Sequence, residues 1–392
     1  MTARILVLGA GYAGSVVVRQ LERTLDPDEA EIIWLSEHGS HLVVHEVHRV
    51  IRRPALQDVL TIPVEAIKRP ETSFERRSVA DVHGQERVVE SSNGERLAFD
   101  YVVDCLGSKT AFYGIDGMRD HALTLKSLDD ALAIHSDTMA AAAASSPDDP
   151  ATVVVGGAGL SGVQCVGELA ALRDGESLPI DIHLVEALDE IFPGHDHQFQ
   201  GALRQRLDDH DVGVSTGDAI VDVADDRLQF DGGDSLEYDV LVWTGGVTGL
   251  GKLDDPEIER ERGRTTVADT LQTDDERVFV VGDAAIVDLA DGPPPPTAQA
   301  AWRAADVAAE NVVHALRGQP LTDWTYEDWG TFVSVGDDAV AHGVKSVPLN
   351  TFSGPVARTL KRAIAARWVA KISSWRRGIR TWLALRPPAS PS

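Results

Sequence analysis

The chain has 392 residues, and its 62 acidic against 36 basic side chains leave a formal net charge of −26. That acidity excludes a nucleic-acid partner, whose phosphates would be repelled, while the length admits two or three domains with full cores. Two cysteines far apart and in no C-x-x-C pair indicate a reducing compartment. The first strand begins almost at the N-terminus and no apolar run reaches the ~20 residues of a membrane span, so a cytoplasmic chain without a signal peptide is expected.

Residues 4–35 read as strand, glycine turn, helix, strand. Ile5-Leu6-Val7-Leu8 leads directly into Gly9-Ala10-Gly11-Tyr12-Ala13-Gly14. In a G-x-G-x-x-G turn the first glycine makes the tight bend, the second lets a pyrophosphate approach the backbone, and the third packs helix on strand. The phosphates rest on the amides and positive end of the following helix. The next strand, Ile32-Ile33-Trp34-Leu35, closes on Ser36-Glu37. Glu37 stands 23 residues past Gly14, near the spacing of an acid that bonds a ribose hydroxyl. His41, His45 and His48 follow at helical spacing. Zinc needs about four converging ligands, so a helix beside a cofactor is expected and a metal is not. Residues 74–100 alternate like short antiparallel strands around an Asn93-Gly94 hairpin signal, and residues 101–107 form a buried strand closing on Gly107. The alanine-rich stretch 139–150 reads as a linker.

The plan then repeats. Val153-Val154-Val155 enters Gly157-Ala158-Gly159-Leu160-Ser161-Gly162, and the next strand, Ile182-His183-Leu184-Val185, ends at Glu186, 24 residues past Gly162. Small strands follow through 212–237, and residues 238–246 close the second unit as 101–107 close the first. An internal duplication is the simplest reading, and a chain that holds two dinucleotides usually passes electrons between them. Val278-Phe279-Val280-Val281-Gly282-Asp283 is a late strand ending at an acid. Pro293 to Pro296 form a stiff spacer, and a helix is expected from about Thr297 to Leu316.

The last acid is Asp338; ten basic residues and no acid follow it, so the rest of the chain is near −36. From Ser353 onward Val356, Leu360, Ile364, Trp368, Ile372, Trp375, Ile379 and Trp382 step by three or four. This predicts one apolar helical stripe with Trp368, Trp375 and Trp382 on one face. Arg358, Arg362, Arg376, Arg377 and Arg380 fall opposite, and Lys361 and Lys371 snorkel from the apolar side. Basic, aromatic and amphipathic, the tail is expected to lie in the plane of an anionic membrane. The competing reading packs it on the protein's own acidic surface or on a second subunit.

These residues resemble the two-dinucleotide flavoprotein superfamily and, within it, the type II NADH:quinone dehydrogenases. Ala298-Gln299-Ala300-Ala301-Trp302-Arg303 through Asn311-Val312 resembles that family's quinone-site helix, and the acidic composition resembles haloarchaeal proteins. The resemblance implies an α/β fold of two Rossmann-like dinucleotide-binding domains, the second inserted in the first, plus a C-terminal α+β segment with amphipathic helices. It divides the chain into an FAD-binding domain (1–112 and 246–325), an NADH-binding domain (113–245) and a membrane-associating segment (326–392). Gly9, Gly11, Gly14, Ser36, Glu37, Gly107, Gly282 and Asp283 would hold FAD, and Gly157, Gly159, Gly162, Glu186 and Gly245 would hold NADH. Gln299, Gln164 and Arg303 would stand near the quinone and nicotinamide.

Three positions depart from the family. Arg303 stands for its second quinone-site glutamine and Gln164 for a glutamate between the two substrate sites. Ser36 takes the usual place of the flavin-ribose acid, with Glu37 next. The implied activity is non-pumping transfer of two electrons from NADH through flavin to a membrane quinone. The expected location is the inner face of the cell membrane, and a homodimer is the other assembly considered. A soluble NADH-dependent ferredoxin or flavin reductase, a sulfide:quinone oxidoreductase and a non-catalytic redox sensor are the alternatives. Cys105 and Cys165 are read as packing residues inside core elements, which disfavours the sulfide reading.

Overall fold

A computed structural model describes residues 2–253, 260–290, 292–345 and 347–387; the last five residues of the expected C-terminal segment lie outside these. In the first unit β1 (Ala3–Leu8), α1 (Tyr12–Thr24), β2 (Ala30–Ser36), the single turn α2 (Arg49–Arg52), β3 (Ser73–Arg76) and β4 (Tyr101–Asp104) follow in order. The second unit has α3 (Leu128–Ala144), β6 (Ala151–Gly156), α4 (Leu160–Glu176), β7 (Ile180–Glu186), β8 (Gly213–Thr216) and β9 (Val240–Trp243), with β5 (Leu123–Thr124) before α3. Then come β10 (Val278–Val280), α5 (Ala298–Arg317), β11 (Thr331–Val335), β12 (Asp338–His342), β13 (Thr351–Ser353), α6 (Pro355–Ile372) and α7 (Trp375–Ala384).

Two five-stranded sheets carry the fold, in the orders β10-β4-β1-β2-β3 and β5-β9-β6-β7-β8. All strand pairs in both are parallel. Ile5, Leu6, Val7 and Leu8 are wholly buried, as are Val153, Val154 and Val155. This is what central parallel strands require, since helices and loops cover both faces. Each unit also carries a three-stranded antiparallel meander before its closing strand: Val79–His83, Val88–Ser91 and Arg96–Ala98 in the first, Ile220–Val223, Arg227–Phe230 and Ser235–Glu237 in the second. The duplicated plan is therefore visible strand for strand. An antiparallel pair, Ser108–Thr110 with Val247–Gly249, carries the chain between the units.

The supposed linker at 139–150 is half helix. The alanines through Ala144 complete α3, which opens with a reciprocal cap between Ser127 and Asp130. Alanine is the best helix former, and the run spends that propensity before Ser145 breaks it.

The tail differs more. It is two helices meeting at Ser373-Ser374, not one stripe. α6 is a core helix: Trp368 is 2 % exposed, and Ala357, Ala365, Val369 and Ile372 are buried with it. Trp375 is 65 % exposed, and Trp382 lies half-buried under the Arg362 guanidinium, 4.2 Å from its ring. Trp368 thus shares no face with Trp375 and Trp382. Lys361 does not snorkel but is buried, and Lys371 pairs with Asp306 at 3.3 Å. The change of direction at Ser373, φ −128° and ψ −89°, breaks the seven-residue register. Beyond it Trp375, Ile379 and Leu383, one turn apart, form the exposed apolar face of α7. At Gly378 a Cβ would stand 2.7 Å from the Ala366 carbonyl, so α7 folds back tightly on α6.

Candidate active site

Both glycine turns have the geometry of a phosphate cradle. Gly9 and Gly157 take φ of +94° and +96°, and a Cβ on either would strike backbone: the Cys105 carbonyl at 2.4 Å, or the Gly245 Cα at 2.7 Å. Gly14 and Gly162 sit where a Cβ would meet the carbonyls of Gly9 and Gly157 at 2.0 and 1.8 Å. Gly11 and Gly159 are different, for nothing lies within 4 Å of a Cβ built on them. Each is also the N-cap of its helix, α1 or α4, and neither end has a side-chain cap. An open space before uncapped helix amides fits a pyrophosphate. Trp34 donates its indole N–H to the Gly9 carbonyl at 2.9 Å, and Thr244 its hydroxyl to the Gly157 carbonyl at 2.9 Å.

Glu186 ends β7 and its carboxylate accepts hydrogen bonds from the Ala158 and Leu188 amides at 2.7 and 3.1 Å. It therefore lies directly over the second turn. Gly9 and Gly157 donate to Leu35 and Val185 in the same register, which places Ser36 where the second unit has Glu186. Ser36 is buried, and Glu37, one residue beyond the strand, is exposed.

Asp283 follows β10 at the mouth of the first sheet. Its Oδ2 accepts from Ser108 Oγ at 2.7 Å, and Lys126 Nζ donates to the same hydroxyl at 2.9 Å while lying 3.8 Å from Asp283. Gly107, at φ +79° and with open space beside it, turns the chain into Ser108. Gly282, at φ +74°, lets the segment fit between Ala13 and Ala301. Ser108 and Lys126 escaped the sequence reading because no motif marks them; the crossover alone brings them to Asp283.

Gln299, Arg303 and Gln164 do not form one cluster. Gln299 Nε2 faces the Glu327 carbonyl and Asp328 Oδ1, each at 3.5 Å. Arg303 lies 4.0 Å over the Trp329 ring and 3.7 Å from Glu327. Gln164 is buried on α4, where its Oε1 accepts from Ser334 Oγ at 3.2 Å and from Lys361 Nζ. Aromatic rings pack together on α5, α6 and α1. Trp302 stacks on Trp368 at 5.0 Å and 11°, and Trp368 lies 4.6 Å from Tyr12, the first residue of α1.

The buried polar centre was the larger surprise. Lys361 Nζ also donates to Ser334 Oγ at 2.8 Å, and His48 Nε2 lies 2.8 Å from that hydroxyl. Burial lowers the Lys361 ammonium to about 8, against a raising pull from Glu46. Glu46 and Glu168 are wholly buried. Arg49 pairs with Glu46 and lies 3.5 Å from Glu168; Arg52 bonds Glu168 at 2.9 Å and forks onto Asp337 at 3.0 and 2.7 Å. A chain of ions thus ties α2 to α4 and to the β11–β12 turn. Its sequence trace is the run Arg49-Val50-Ile51-Arg52-Arg53, which no motif marks.

The three histidines share no helix. His41 lies in a short strand, His45 in a 3-10 turn, and His48 just before α2. His41 Nδ1 donates to the Ala10 carbonyl and its Nε2 accepts from the Trp368 indole, both at 2.9 Å. Burial lowers His41 and His45 to about 4, so both rings stay neutral near pH 7. No group of three His, Cys, Asp or Glu that could hold a metal occurs among the described residues. Cys105 and Cys165 are both buried and unbridged, and burial pushes both thiols up, away from the thiolate that redox chemistry needs.

Comparison with known proteins gives a consistent result. Residues 3–305 match the family model described as pyridine nucleotide-disulphide oxidoreductase. A type II NADH:quinone oxidoreductase of Staphylococcus saprophyticus is 29 % identical over 389 residues, covering 94 % of this chain and 96 % of that protein. One from a bovine strain of Staphylococcus aureus is 29 % identical over 394 residues, with the same coverage. Among solved structures, the Plasmodium falciparum NDH2 in complex with NADH superimposes with a TM-score of 0.81 at 15 % identity, covering 99 % of both chains. A sulfide:quinone oxidoreductase from Aquifex aeolicus reaches 0.79 at 15 % identity, covering 96 % of this chain and 92 % of that one.

Proposed function

From the premise that the chain belongs to the pyridine nucleotide-disulphide oxidoreductase family, we propose that it transfers two electrons from NADH, through bound FAD, to a membrane quinone. The observation that carries this is the pair of open cradles at Gly11 and Gly159. Bound FAD would supply the redox chemistry, two-electron exchange between nicotinamide and quinone. Residues 1–112 and 246–325 would hold FAD, and residues 113–245 NADH. The chain's own part is to bind, orient and exclude water. The amides after Gly11 and Gly159 would hold the two pyrophosphates, and Asp283, with Ser108 and Lys126, would hold the ribityl hydroxyls. The Tyr12–Trp368–Trp302 wall keeps solvent out, and Lys361 holds a proton at Nζ beside Gln164.

Asp283→Ala is expected to weaken flavin retention by about 1–3 kcal/mol, the cost of leaving hydroxyl partners unpaired. The flavin-to-protein absorbance ratio after dialysis measures it, and an unchanged ratio would move the ribityl contact elsewhere. NADH should be preferred over NADPH, because Glu186 accepts from a ribose 2′-hydroxyl but repels a 2′-phosphate. Glu186→Gln should narrow that preference, read as the ratio of the two kcat/KM values; equal use of both cofactors by the wild type would remove Glu186 from this role.

Gln299→Ala tests the acceptor side. Stopped-flow measurement should find the NADH half-reaction nearly intact and the quinone half-reaction slowed; loss of the NADH step alone would put α5 on the wrong side of the flavin. Arms with ferredoxin and sulfide in the same assay separate this reading from a soluble reductase and from sulfide oxidation. We also place the protein on a bilayer surface through Trp375, Ile379 and Leu383, with Arg376 and Arg380 beside them to meet anionic headgroups. No helix of the described residues is long and apolar enough to cross a membrane. The strongly acidic remainder suits a protein kept soluble in concentrated salt.

A further inference from the structure

Between α5 and β11, residues 319–330 form neither helix nor strand. Both ends of this stretch are fixed. Asn311 on α5 holds Thr322, donating to its carbonyl at 2.8 Å and accepting from its amide at 2.7 Å. The buried Trp324 donates its amide to the Asp269 carbonyl at 2.8 Å. At the other end Gly330 takes φ +98°, where a Cβ would stand 2.8 Å from the His342 carbonyl. Residues 325–329 span the gap, and all but Tyr326 are exposed.

Side chains hold this span against α5, and one of them is the arginine that departs from the family pattern. Arg303 lies 4.0 Å over the Trp329 ring, with its Nη1 3.7 Å from Glu327. Glu327 is the hub: it also accepts from the Trp329 indole at 2.9 Å and from Lys345 Nζ. One turn before Arg303, Gln299 directs its amide nitrogen at the Glu327 carbonyl and Asp328 Oδ1, each at 3.5 Å. Exposed ion pairs and hydrogen bonds of that length are individually weak. Together they close the span over one face of α5, yet each can be exchanged for another partner. A glutamine at position 303 could make neither the ion pair nor the cation–π contact.

We propose that Arg303 positions residues 325–329 as a strap across the acceptor mouth, and that an acceptor carbonyl displaces the strap by taking over the Gln299 amide. The inference rests on the reading of α5 as the acceptor side. Arg303 is then a positioning residue, because its guanidinium is committed to Trp329 and Glu327 rather than to the acceptor. Strap and acceptor compete for one donor, so the apparent acceptor affinity is reduced by the fraction of molecules in which the strap is closed. The NADH half-reaction does not depend on it.

The test uses the full-length protein, with its flavin, and two readouts. Endoproteinase Asp-N cuts before Asp328, and the rate of that cut follows the population of released strap. Stopped flow gives the half-saturating concentration of a short-chain benzoquinone in flavin reoxidation. Arg303→Met and Glu327→Gln unfasten the strap from its two sides. Asp323→Asn removes an acid from the same stretch, at a residue with no hydrogen bond or ion pair among the described residues. Both strap variants are expected to be cut about threefold to tenfold faster, the effect of losing exposed ion-pair and cation–π contacts, and to need proportionally less quinone. Arg303→Lys, which keeps the charge but not the planar stack, should fall between them and the wild type, and Asp323→Asn should match the wild type. Unchanged cutting in both strap variants would overturn the strap. Faster cutting with unchanged quinone demand would overturn its place at the acceptor mouth, and a raised demand would make it part of the binding surface instead of a bar. If Gln299→Ala leaves the quinone step intact while the cutting results hold, the acceptor reading of α5 falls and the strap itself does not.

Discussion

Deletion from Thr351 onward is expected to yield no folded protein, whereas deletion from Ser374 onward should yield a folded one that no longer sediments with anionic vesicles. The two cuts differ by β13 and α6. α6 places Trp368, Val369 and Ile372 in the core, and Trp368 stacks on Trp302 and packs against Tyr12. Burial of each such side chain stabilises by roughly 1.5–3 kcal/mol, so losing them together consumes much of a net stability of about 5–15 kcal/mol. Lys361 goes too, taking one buried donor from both Gln164 and Ser334. The shorter deletion removes few buried residues, chiefly Gly378, Thr381 and Leu385, and the exposed apolar face. Circular dichroism melts and vesicle co-sedimentation read both outcomes. A long deletion that melts like the intact protein would return α6 to the surface, and a short one that still sediments would remove α7 as the membrane contact.

Arg49→Met is expected to destabilise the fold by about 3–5 kcal/mol, because it strands one buried carboxylate and strips another of a partner. Among the described residues Glu46 pairs with no other guanidinium, and the Lys361 ammonium stands 4.0 Å away. Glu168 keeps its bond to Arg52. The mechanism is uncompensated charge rather than lost volume, since methionine replaces much of the arginine stem. Adding Glu46→Leu to the same chain should therefore recover part of the loss, whereas a packing defect would grow. Urea denaturation of the three variants decides it, and a loss below about 1 kcal/mol would mean that solvent or a rearranged neighbour already serves Glu46.

Much of the fold was legible because it is written in local patterns. A glycine turn between an apolar run and a helix is a contiguous signal, and each glycine is required by contacts within its own unit: Gly14 by the Gly9 carbonyl, Gly162 by the Gly157 carbonyl. The duplication could be read for the same reason. The tail could not be, because a period of three to four says only that a helix has an apolar face. Whether that face meets lipid or protein depends on what stands opposite, and opposite α6 stand Tyr12 and Trp302, far away in the chain.

The sequence by itself determined two dinucleotide cradles, the acid that ends β7, the late acid Asp283 and the basic character of the C-terminus, since each is settled by residue type and spacing along one segment. Only the tertiary structure decided that Ser108 and Lys126 join Asp283, that Gln164 parts from Gln299 and that the histidines divide among three elements. The same holds for the ion chain across α2 and α4, and for α6 being core while α7 is surface. The physical reason is range. Backbone sterics and periodicity act over a few residues and leave a mark in the string. A buried charge is tolerated only where folding brings its counter-charge, and Arg49 meets Glu168 119 residues away, a pairing that neither residue announces alone.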